Sequence, residues 1–315
     1  MIDLALIRDA ASRLAGKIHR TPVFTCSSIG ERAGVRLFLK CESFQKTGSF
    51  KPRGALNKVL GLADEERRRG LVTVSAGNHA QAVAWAARMA ETRATVVMPS
   101  DAPETKIAAV RGYGGEIVLH DDRATLFEKL EEVRSARGLT FVHPFDDPVV
   151  LAGAGTAGLE ILEDVPDAEV IVVPVGGGGL LAGVASAAKQ LRPAVRVIAV
   201  ELAAGPGLGP ALAAGKPIPV PRPAATLADG MTPPFVGKLP LEIAREAVDE
   251  IATVTEEEIL EAMRLLMTRA KLVVEGSGAA ATAALVAGKV RAPAGARVVT
   301  LVSGGNLDLS RLPRS

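Results

Sequence analysis

Most of the chain alternates short apolar runs with segments of helical periodicity. The apolar runs lie at 71–75, 94–98, 116–120, 169–175 and 195–201. Strands that alternate with helices of about a dozen residues form parallel sheets joined by right-handed crossovers. The pattern therefore predicts an α/β fold built on mostly parallel sheets.

The composition excludes several classes of protein. The chain has 315 residues, 48% of them hydrophobic and 23% charged, with a formal net charge of +2. These values are typical of one large or two smaller packed domains. A balance so close to neutral gives no electrostatic reason to expect nucleic acid or a membrane surface as a partner.

The amino terminus and the cysteines indicate a cytoplasmic protein. Charged residues at helical intervals in residues 1–15 interrupt the apolar core that a signal peptide needs. No window of about 18 uncharged apolar residues is present, so no transmembrane helix is expected. Cys26 and Cys41 are the only cysteines, too few for a disulfide framework. We expect free thiols in a reducing compartment.

The segment 43–55 contains the candidate catalytic residue, Lys51. It lies between a predicted strand at 35–40 and a predicted helix at 54–62, where a strand-to-helix turn presents side chains above a sheet. Phe50 precedes the lysine and Pro52 follows it. An ammonium group held against an aromatic ring and partly desolvated loses its proton more readily and becomes a nucleophile toward carbonyls. We predict that Lys51 carries the chemistry.

Four consecutive glycines form a candidate phosphate cradle. Gly176, Gly177, Gly178 and Gly179 follow an apolar strand and precede a predicted helix. Unobstructed N–H groups and the positive end of the helix dipole can converge there on an anion. No Lys-Ser/Thr pair follows, so the loop is not a Walker A motif.

A second glycine motif, at 153–158, matches the dinucleotide pattern G-x-G-x-x-G. The residues before it, 146–148, have loop character, whereas a dinucleotide-binding loop needs a preceding strand. We interpret these glycines as sites of close helix packing. A nicotinamide-dependent oxidoreductase remains a remote alternative.

A third loop starts a helix after a strand and is a candidate substrate site. It consists of Ser75, Ala76, Gly77, Asn78 and His79. Backbone amides at a helix start suit a substrate carboxylate. The Asn78 amide can hydrogen-bond a phenolic oxygen, and His79 is expected mainly to orient the loop. The remaining histidines lack the spacing of metal ligands.

These motifs resemble, nearly from end to end, the fold type II pyridoxal-phosphate enzymes. The resemblance is to the threonine/serine dehydratase and serine racemase group. It rests on the following segments: Ser49-Phe50-Lys51, Arg53-Gly54-Ala55, 75–79, 176–179 and Ser303-Gly304-Gly305-Asn306. It implies two open, twisted, mostly parallel sheets flanked by helices, as in tryptophan synthase β. It also implies a large cofactor-binding domain, 1–62 with 146–315, and a small inserted domain, 63–145.

The same resemblance implies roles for individual residues. Lys51 should form the Schiff base with pyridoxal 5'-phosphate and later remove the substrate Cα proton. Phe50 should lie near the cofactor ring, and Asn78 should bond the 3'-oxygen. The glycines 176–179 should hold the phosphate. Ser303 should meet the pyridine nitrogen, and its hydroxyl makes the ring a weaker electron sink than a carboxylate would, which favours rapid loss of a β-hydroxyl.

The resemblance also helps to choose a reaction. Racemases of the group place a second serine where this chain has Ala76, which has no proton to give. A cation in the racemase-like members lies near a glutamate with an aspartate six residues later. Glu201 matches the glutamate and is a candidate metal ligand, but Gly207 stands where the aspartate would be, so the pattern is incomplete. Glu275 matches a glutamate near the family's active site, with no role assigned.

We therefore predict a β-eliminating dehydratase of L-threonine, L-serine or both, which releases a 2-oxo acid and ammonia. A serine racemase or β-replacement enzyme of the same fold is the nearest alternative, and a non-catalytic cofactor-binding protein is another. The expected partner is a small amino-acid substrate. The expected assembly is a homodimer or homotetramer.

Overall fold

The computed structural model describes residues 1–223 and 225–308. The chain forms two separate sheets flanked by helices, which is the predicted fold class. The strands are β1 (Val23–Thr25), β2 (Arg36–Cys41), β3 (Leu71–Val74), β4 (Ala94–Pro99), β5 (Glu116–His120), β6 (Thr140–Phe141), β7 (Val170–Pro174), β8 (Arg196–Leu202), β9 (Glu250–Val254) and β10 (Arg297–Val302).

The larger sheet has the strand order β1-β2-β10-β7-β8-β9. All its pairings are parallel except that of β1 with β2. The smaller sheet, β5-β4-β3-β6, is entirely parallel. Every residue of β3, β4 and β7 is buried, as expected when helices cover both faces of a parallel sheet.

The helices fill the connections between the strands. They are α1 (Leu4–Leu14), α2 (Ser27–Arg32), α3 (Lys51–Leu60), α4 (Asp64–Arg69), α5 (Asn78–Met89), α6 (Glu104–Gly112), α7 (Leu126–Arg137), α8 (Pro148–Asp164), α9 (Gly179–Leu191), α10 (Leu208–Ala214), α11 (Lys238–Ala247), α12 (Glu256–Leu265) and α13 (Gly276–Val286). Of the helices within the described ranges, none is both long and apolar enough to span a membrane.

Helix α3 begins earlier than the sequence predicts. It starts at Lys51, not Gly54, because Pro52 occupies the first turn, where its missing N–H costs nothing. Strand β6 is short, since it contains only Thr140 and Phe141. The chain then leaves the sheet and passes beside the lysine.

Helix α8 contains the second glycine motif, residues 153–158. A Cβ on Gly153 would stand 2.3 Å from the carbonyl oxygen of Arg53, and one on Gly155 would stand 3.0 Å from that of Gly183. The glycines thus let α3 and α9 approach α8 closely, which confirms the interpretation as helix packing. Inside a helix, they cannot form the strand-to-helix turn that a dinucleotide requires.

A buried ion cluster anchors α3. The Arg53 guanidinium donates to Glu42 at 2.7 Å and to Glu160 at 2.7 Å, and Lys40 pairs with Glu160 at 2.6 Å. The side chains of Arg53, Glu42 and Lys40 are 0% exposed. Because Arg53 lies two residues after Lys51, the cluster fixes the start of the helix that presents the lysine.

Candidate active site

The lysine segment lies against the carboxyl end of β10. The backbone N–H of Phe50 donates to the carbonyl of Ser303 at 3.0 Å, and Ser49 forms a β-bridge with Gly304. Strands β10 and β7 are parallel neighbours, so the glycine loop after β7 opens at the same edge of the sheet. The fold therefore brings three of the predicted segments together.

The Lys51 amine is desolvated. It donates to the carbonyl oxygen of Pro144 at 2.8 Å and lies 5.1 Å from the centroid of the Phe50 ring. Burial lowers the pKa of Lys51 from 10.5 to about 8. At pH 7 roughly a tenth of such amines are neutral, far more than for an ordinary lysine. The geometry suits a nucleophile and a general base.

The glycine loop connects β7 to α9 and is packed too tightly for side chains. A Cβ on Gly177 would stand 2.3 Å from the ring of Phe145. Gly178 has a φ of +90°, a left-handed conformation that favours glycine. A Cβ on Gly176 would stand 2.9 Å from the carbonyl oxygen of Gly230. The loop thus leaves only its backbone to face an anion.

Replacing Gly177 with alanine is expected to raise the dissociation constant for pyridoxal phosphate at least about tenfold, because the new methyl group must displace the buried Phe145 ring and with it the loop. Titration of apo protein, followed by absorbance, measures the constant. Gly112→Ala is the matched control, since that position at the end of α6 has no atom within 4 Å of the new Cβ. Equal affinities of Gly177→Ala and Gly112→Ala for pyridoxal phosphate would contradict the prediction that the glycine loop binds the cofactor.

The loop 75–79 connects β3 to α5. The Ser75 hydroxyl accepts from the N–H of Gly77 at 3.1 Å, and Asn78 is the first residue of α5. Ala76 is partly buried and packs against the small apolar cluster around Ile107. The backbone amides at this helix start remain a predicted carboxylate site.

His79 is buried and neutral. Burial, with a smaller effect from the charge of Lys51, lowers the pKa of His79 well below 6.5. A neutral ring near the Val142 carbonyl, 3.1 Å from Nε2, donates from that nitrogen. These contacts agree with the expected loop-orienting role.

Asn78 is held from both sides by residues distant in sequence. Its Nδ2 donates to Glu275 Oε1 at 2.6 Å, and its Oδ1 accepts from Asn306 Nδ2 at 2.7 Å. The same Asn306 nitrogen donates to the carbonyl of Thr47 at 2.7 Å. Glu275, which has no role from the sequence alone, therefore touches a predicted cofactor-binding residue directly.

Burial and, to a smaller extent, the charge of Asp229 raise the pKa of Glu275 to about 7, against opposing effects of the Asn78 hydrogen bond and the Lys106 charge. The unfolded carboxyl ionises near 4.5, so unfolding releases a proton between these values. As the pH rises from 4.5 to 7, the unfolding free energy of the apo protein should therefore fall by about 3 kcal/mol. Above pH 7 this group should cause no further change.

The variant Glu275→Gln removes this titration. Urea unfolding of apo wild type and apo variant at pH 5, 6, 7 and 8 measures the difference in unfolding free energy. We expect the unfolding free energy of the variant, relative to that of the wild type, to increase as the pH rises. A difference independent of pH would show that Glu275 titrates normally.

Ser303 directly follows the last residue of β10 and is buried. Its hydroxyl donates to the carbonyl of Ser277 at 3.1 Å. The hydroxyls of Ser277, Ser49 and Thr47 are buried and, within the part of the chain that is described, have no hydrogen-bond partner. Buried polar groups are normally satisfied, so these unpartnered hydroxyls fit a site built for a polar ligand.

An ion pair that the sequence did not indicate joins the two sheets beside this site. Lys106, on α6, pairs with Asp229 in the short 3₁₀ turn Asp229–Met231. A Cβ on Gly77 would stand 4.0 Å from the Lys106 amine. No motif marks either residue, and only packing between the sheets brings them together.

The Glu201 carboxylate accepts hydrogen bonds from backbone N–H groups. The donors are the N–H groups of Gly207 and Leu208 at 2.9 and 2.7 Å, so the carboxylate caps α10. Within residues 1–223 and 225–308, no group of three or more His, Cys, Asp or Glu side chains could hold a metal ion. Capping accounts for this buried carboxylate.

A family model described as pyridoxal-phosphate dependent enzyme matches residues 14–304. The chain belongs to this family. It is 45% identical over 308 residues to a catabolic L-threonine dehydratase of Escherichia coli (strain K12), covering 97% of this chain and 93% of that protein. It is also 45% identical over 317 residues to an L-threonine ammonia-lyase of Thermotoga maritima, covering 100% and 78%.

Solved structures of pyridoxal-phosphate enzymes share the fold. Maize serine racemase has a TM-score of 0.93 and 39% identity, covering 98% of this chain and 94% of that chain. The T.th. threonine deaminase has a TM-score of 0.90 and 44% identity, covering 98% and 99%. The predicted family and fold class are confirmed.

The residues present fit pyridoxal phosphate. The desolvated Lys51 amine suits an aldehyde, and the glycine loop offers a side-chain-free anion cradle. The unpartnered hydroxyls beside Ser303 suit the polar edge of the ring. This pyridoxal-phosphate enzyme thus has a donor set of the right chemistry at one sheet edge.

Proposed function

We propose that this pyridoxal-phosphate enzyme eliminates water from L-threonine, L-serine or both and releases a 2-oxo acid and ammonia. The observation that carries the proposal is the desolvated Lys51 amine, in a segment that bonds the backbone of Ser303 and lies at the same sheet edge as the glycine cradle. The relatives named L-threonine dehydratase and L-threonine ammonia-lyase, similar over nearly the whole chain, support this choice of substrate.

The roles of the residues follow from their chemistry. Lys51 and the glycines 176–179 would hold pyridoxal phosphate, with Ser303 at the ring and Phe50 beside it. When bound, the cofactor supplies an electron sink for the charge left on the substrate Cα. The backbone amides of 75–78 would bind and orient the substrate carboxylate. The neutral Lys51 amine takes up the Cα proton at Nζ.

The test is 2-oxo acid and ammonia release from L-threonine and L-serine by purified protein supplied with pyridoxal phosphate. An absorbance band at the violet edge of the visible range that borohydride traps, together with product, is the expected result. A trapped band without product from either substrate would reject the dehydratase. Absence of any band would reject the role of Lys51.

A serine racemase is the second candidate. It is favoured by the likeness to maize serine racemase and opposed by Ala76, whose methyl group cannot donate a proton. Chiral chromatography after incubation with L-serine separates the two. Formation of D-serine faster than 2-oxo acid would favour the racemase.

The assembly and the location of the chain are further parts of the proposal. Phe24 and Phe44 are 43% and 48% exposed, with ring centroids 6.0 Å apart beside the edge strand β1. Exposed aromatic pairs are typical of interfaces, which supports a homodimer or homotetramer. Light scattering of purified protein tests the assembly.

The free, buried Cys26 and Cys41 are compatible with a cytoplasmic location.

The domain division, 1–62 with 146–315 and the inserted 63–145, is also proposed. Its support is that the four strands of the smaller sheet all lie between Leu71 and Phe141. Limited proteolysis with cleavage near both proposed boundaries would agree with this division.

A further inference from the structure

We propose that Glu275 and Asn306 are positioning residues that fix the direction of the Asn78 side-chain amide toward the cofactor. The inference rests on the proposed function, and on the contact of Asn78 with the cofactor 3'-oxygen that the family resemblance implies. That function assigns no role to Glu275 or Asn306. Both act through Asn78; Glu275 lies immediately before α13, and Asn306 lies in the segment after β10.

The direction of the hydrogen bonds follows from the ends of the chain of contacts. A backbone carbonyl can only accept, so the atom of Asn306 beside Thr47 must be its nitrogen. That nitrogen has a second hydrogen, which it donates to Asn78 Oδ1. The Asn78 nitrogen then faces Glu275 Oε1, an acceptor in the ionised carboxylate and a carbonyl oxygen in the neutral acid. Each contact requires the next.

One hydrogen of Asn78 Nδ2 remains after these bonds. The nitrogen carries two hydrogens and gives one to Glu275. A rotated amide would place its oxygen against Glu275 and its nitrogen against the Asn306 donor, which are two unfavourable contacts. The clamp therefore presents a donor, and not an acceptor, to any ligand beside Asn78.

The surrounding glycines make room for the clamp. A Cβ on Gly304 would stand 2.3 Å from Glu275 Oε1, and one on Gly48 would lie against Asn306 Oδ1. Glu275 is 7% exposed and lies immediately before α13, so its side chain has little freedom to turn away. Asp229 and Lys106 are the charged groups that act on it from neighbouring elements. The side chains of Glu275 and Asn306 are therefore closely surrounded and held in place.

A double-mutant cycle tests whether Glu275 acts through Asn78. The dissociation constant for pyridoxal phosphate is measured on wild type, Asn78→Ala, Glu275→Ala and the double variant. The fluorescence of Trp85, the only tryptophan, reports binding because it lies on the same helix as Asn78. We expect each single change to raise the constant about tenfold and the double variant to resemble Asn78→Ala within about twofold.

Additive effects in the cycle, or an unchanged constant in Glu275→Ala, would overturn the proposal. Thermal unfolding of each apo variant identifies loss of folding, and Glu258→Ala is the matched control. That glutamate forms the capping box of α12 and pairs with Lys289, so its loss should lower stability and leave cofactor affinity unchanged.

Two conservative variants keep the test decisive if Glu275→Ala fails to fold. Glu275→Gln retains an oxygen acceptor and should bind the cofactor more tightly than Glu275→Ala. Asn306→Asp replaces a donor with acceptors facing the Asn78 oxygen and the Thr47 carbonyl, and should weaken binding more than Asn306→Ala. The reverse order for Asn306 would overturn the proposal.

The cycle is independent of turnover. If wild type binds the cofactor but forms no 2-oxo acid, the proposed reaction fails while the coupling between Glu275 and Asn78 can still be measured. If the reaction is found and the cycle is additive, only the clamp fails.

Discussion

Replacing Lys51 with alanine is expected to lower the rate of 2-oxo acid formation from L-threonine by at least about 10,000-fold. The variant loses both the amine that holds the cofactor and the base for the Cα proton, and a positioned general base alone contributes a factor of about 100 to 10,000. Initial rates at saturating cofactor measure the loss. Mass spectrometry after borohydride should find the cofactor attached to the wild type alone.

Lys58→Ala is the matched control for this prediction. Lys58 lies on the same helix, α3, and pairs with Asp147 at 2.7 Å, with its side chain 21% exposed. Its loss should change the rate less than about threefold. Lys58 is not one of the predicted cofactor-binding or substrate-binding residues, and losing a partly exposed ion pair costs little stability. Residual turnover of Lys51→Ala within tenfold of the wild type would remove the lysine from the chemistry.

Replacing Arg53 with methionine should destabilise the protein by about 3–5 kcal/mol. The change leaves the carboxylate of Glu42, fully buried, without its cationic partner, and removing one member of a buried ion pair has this cost. Glu160 keeps the hydrogen bond from Lys40. Urea unfolding of apo protein at pH 7 measures the loss.

Arg20→Met provides the comparison. Arg20 also pairs with two carboxylates, Glu163 and Asp164, but its side chain is 52% exposed. Its loss should cost less than about 1 kcal/mol. In the Arg53→Met background, Glu42→Gln should recover part of the stability, since it removes the unpaired charge. Equal losses of unfolding free energy in Arg53→Met and Arg20→Met would show that burial of the ion pair does not decide the cost.

Local sequence patterns were sufficient for the elements that their own residues specify. Residues 255–258 have the Thr-x-x-Glu spacing of a capping box, and the side chains of Thr255 and Glu258 each bond the other's backbone N–H. The strand predicted at 116–120 has the observed bounds, Glu116–His120. Such signals depend on contacts within one turn or one strand.

The same local reading failed where distant packing decides. Residues 203–223 are rich in glycine, proline and alanine, a composition that by itself favours irregular structure. The structure has α10 there, with Leu208 and Ala211 buried and Glu201 capping its start. Burial and a cap from another segment outweigh weak propensity.

The sequence by itself determined the fold class, the family and the positions of Lys51, the glycine loop and Ser303. These follow because parallel strands bring their carboxyl ends to one edge, so motifs at strand ends must meet. Only the tertiary structure decided the partners of Asn78 and of Arg53. Glu275 is 197 residues from Asn78, and Glu160 is 107 from Arg53. Pairings over such distances depend on how the two sheets and their helices pack, which no local pattern encodes.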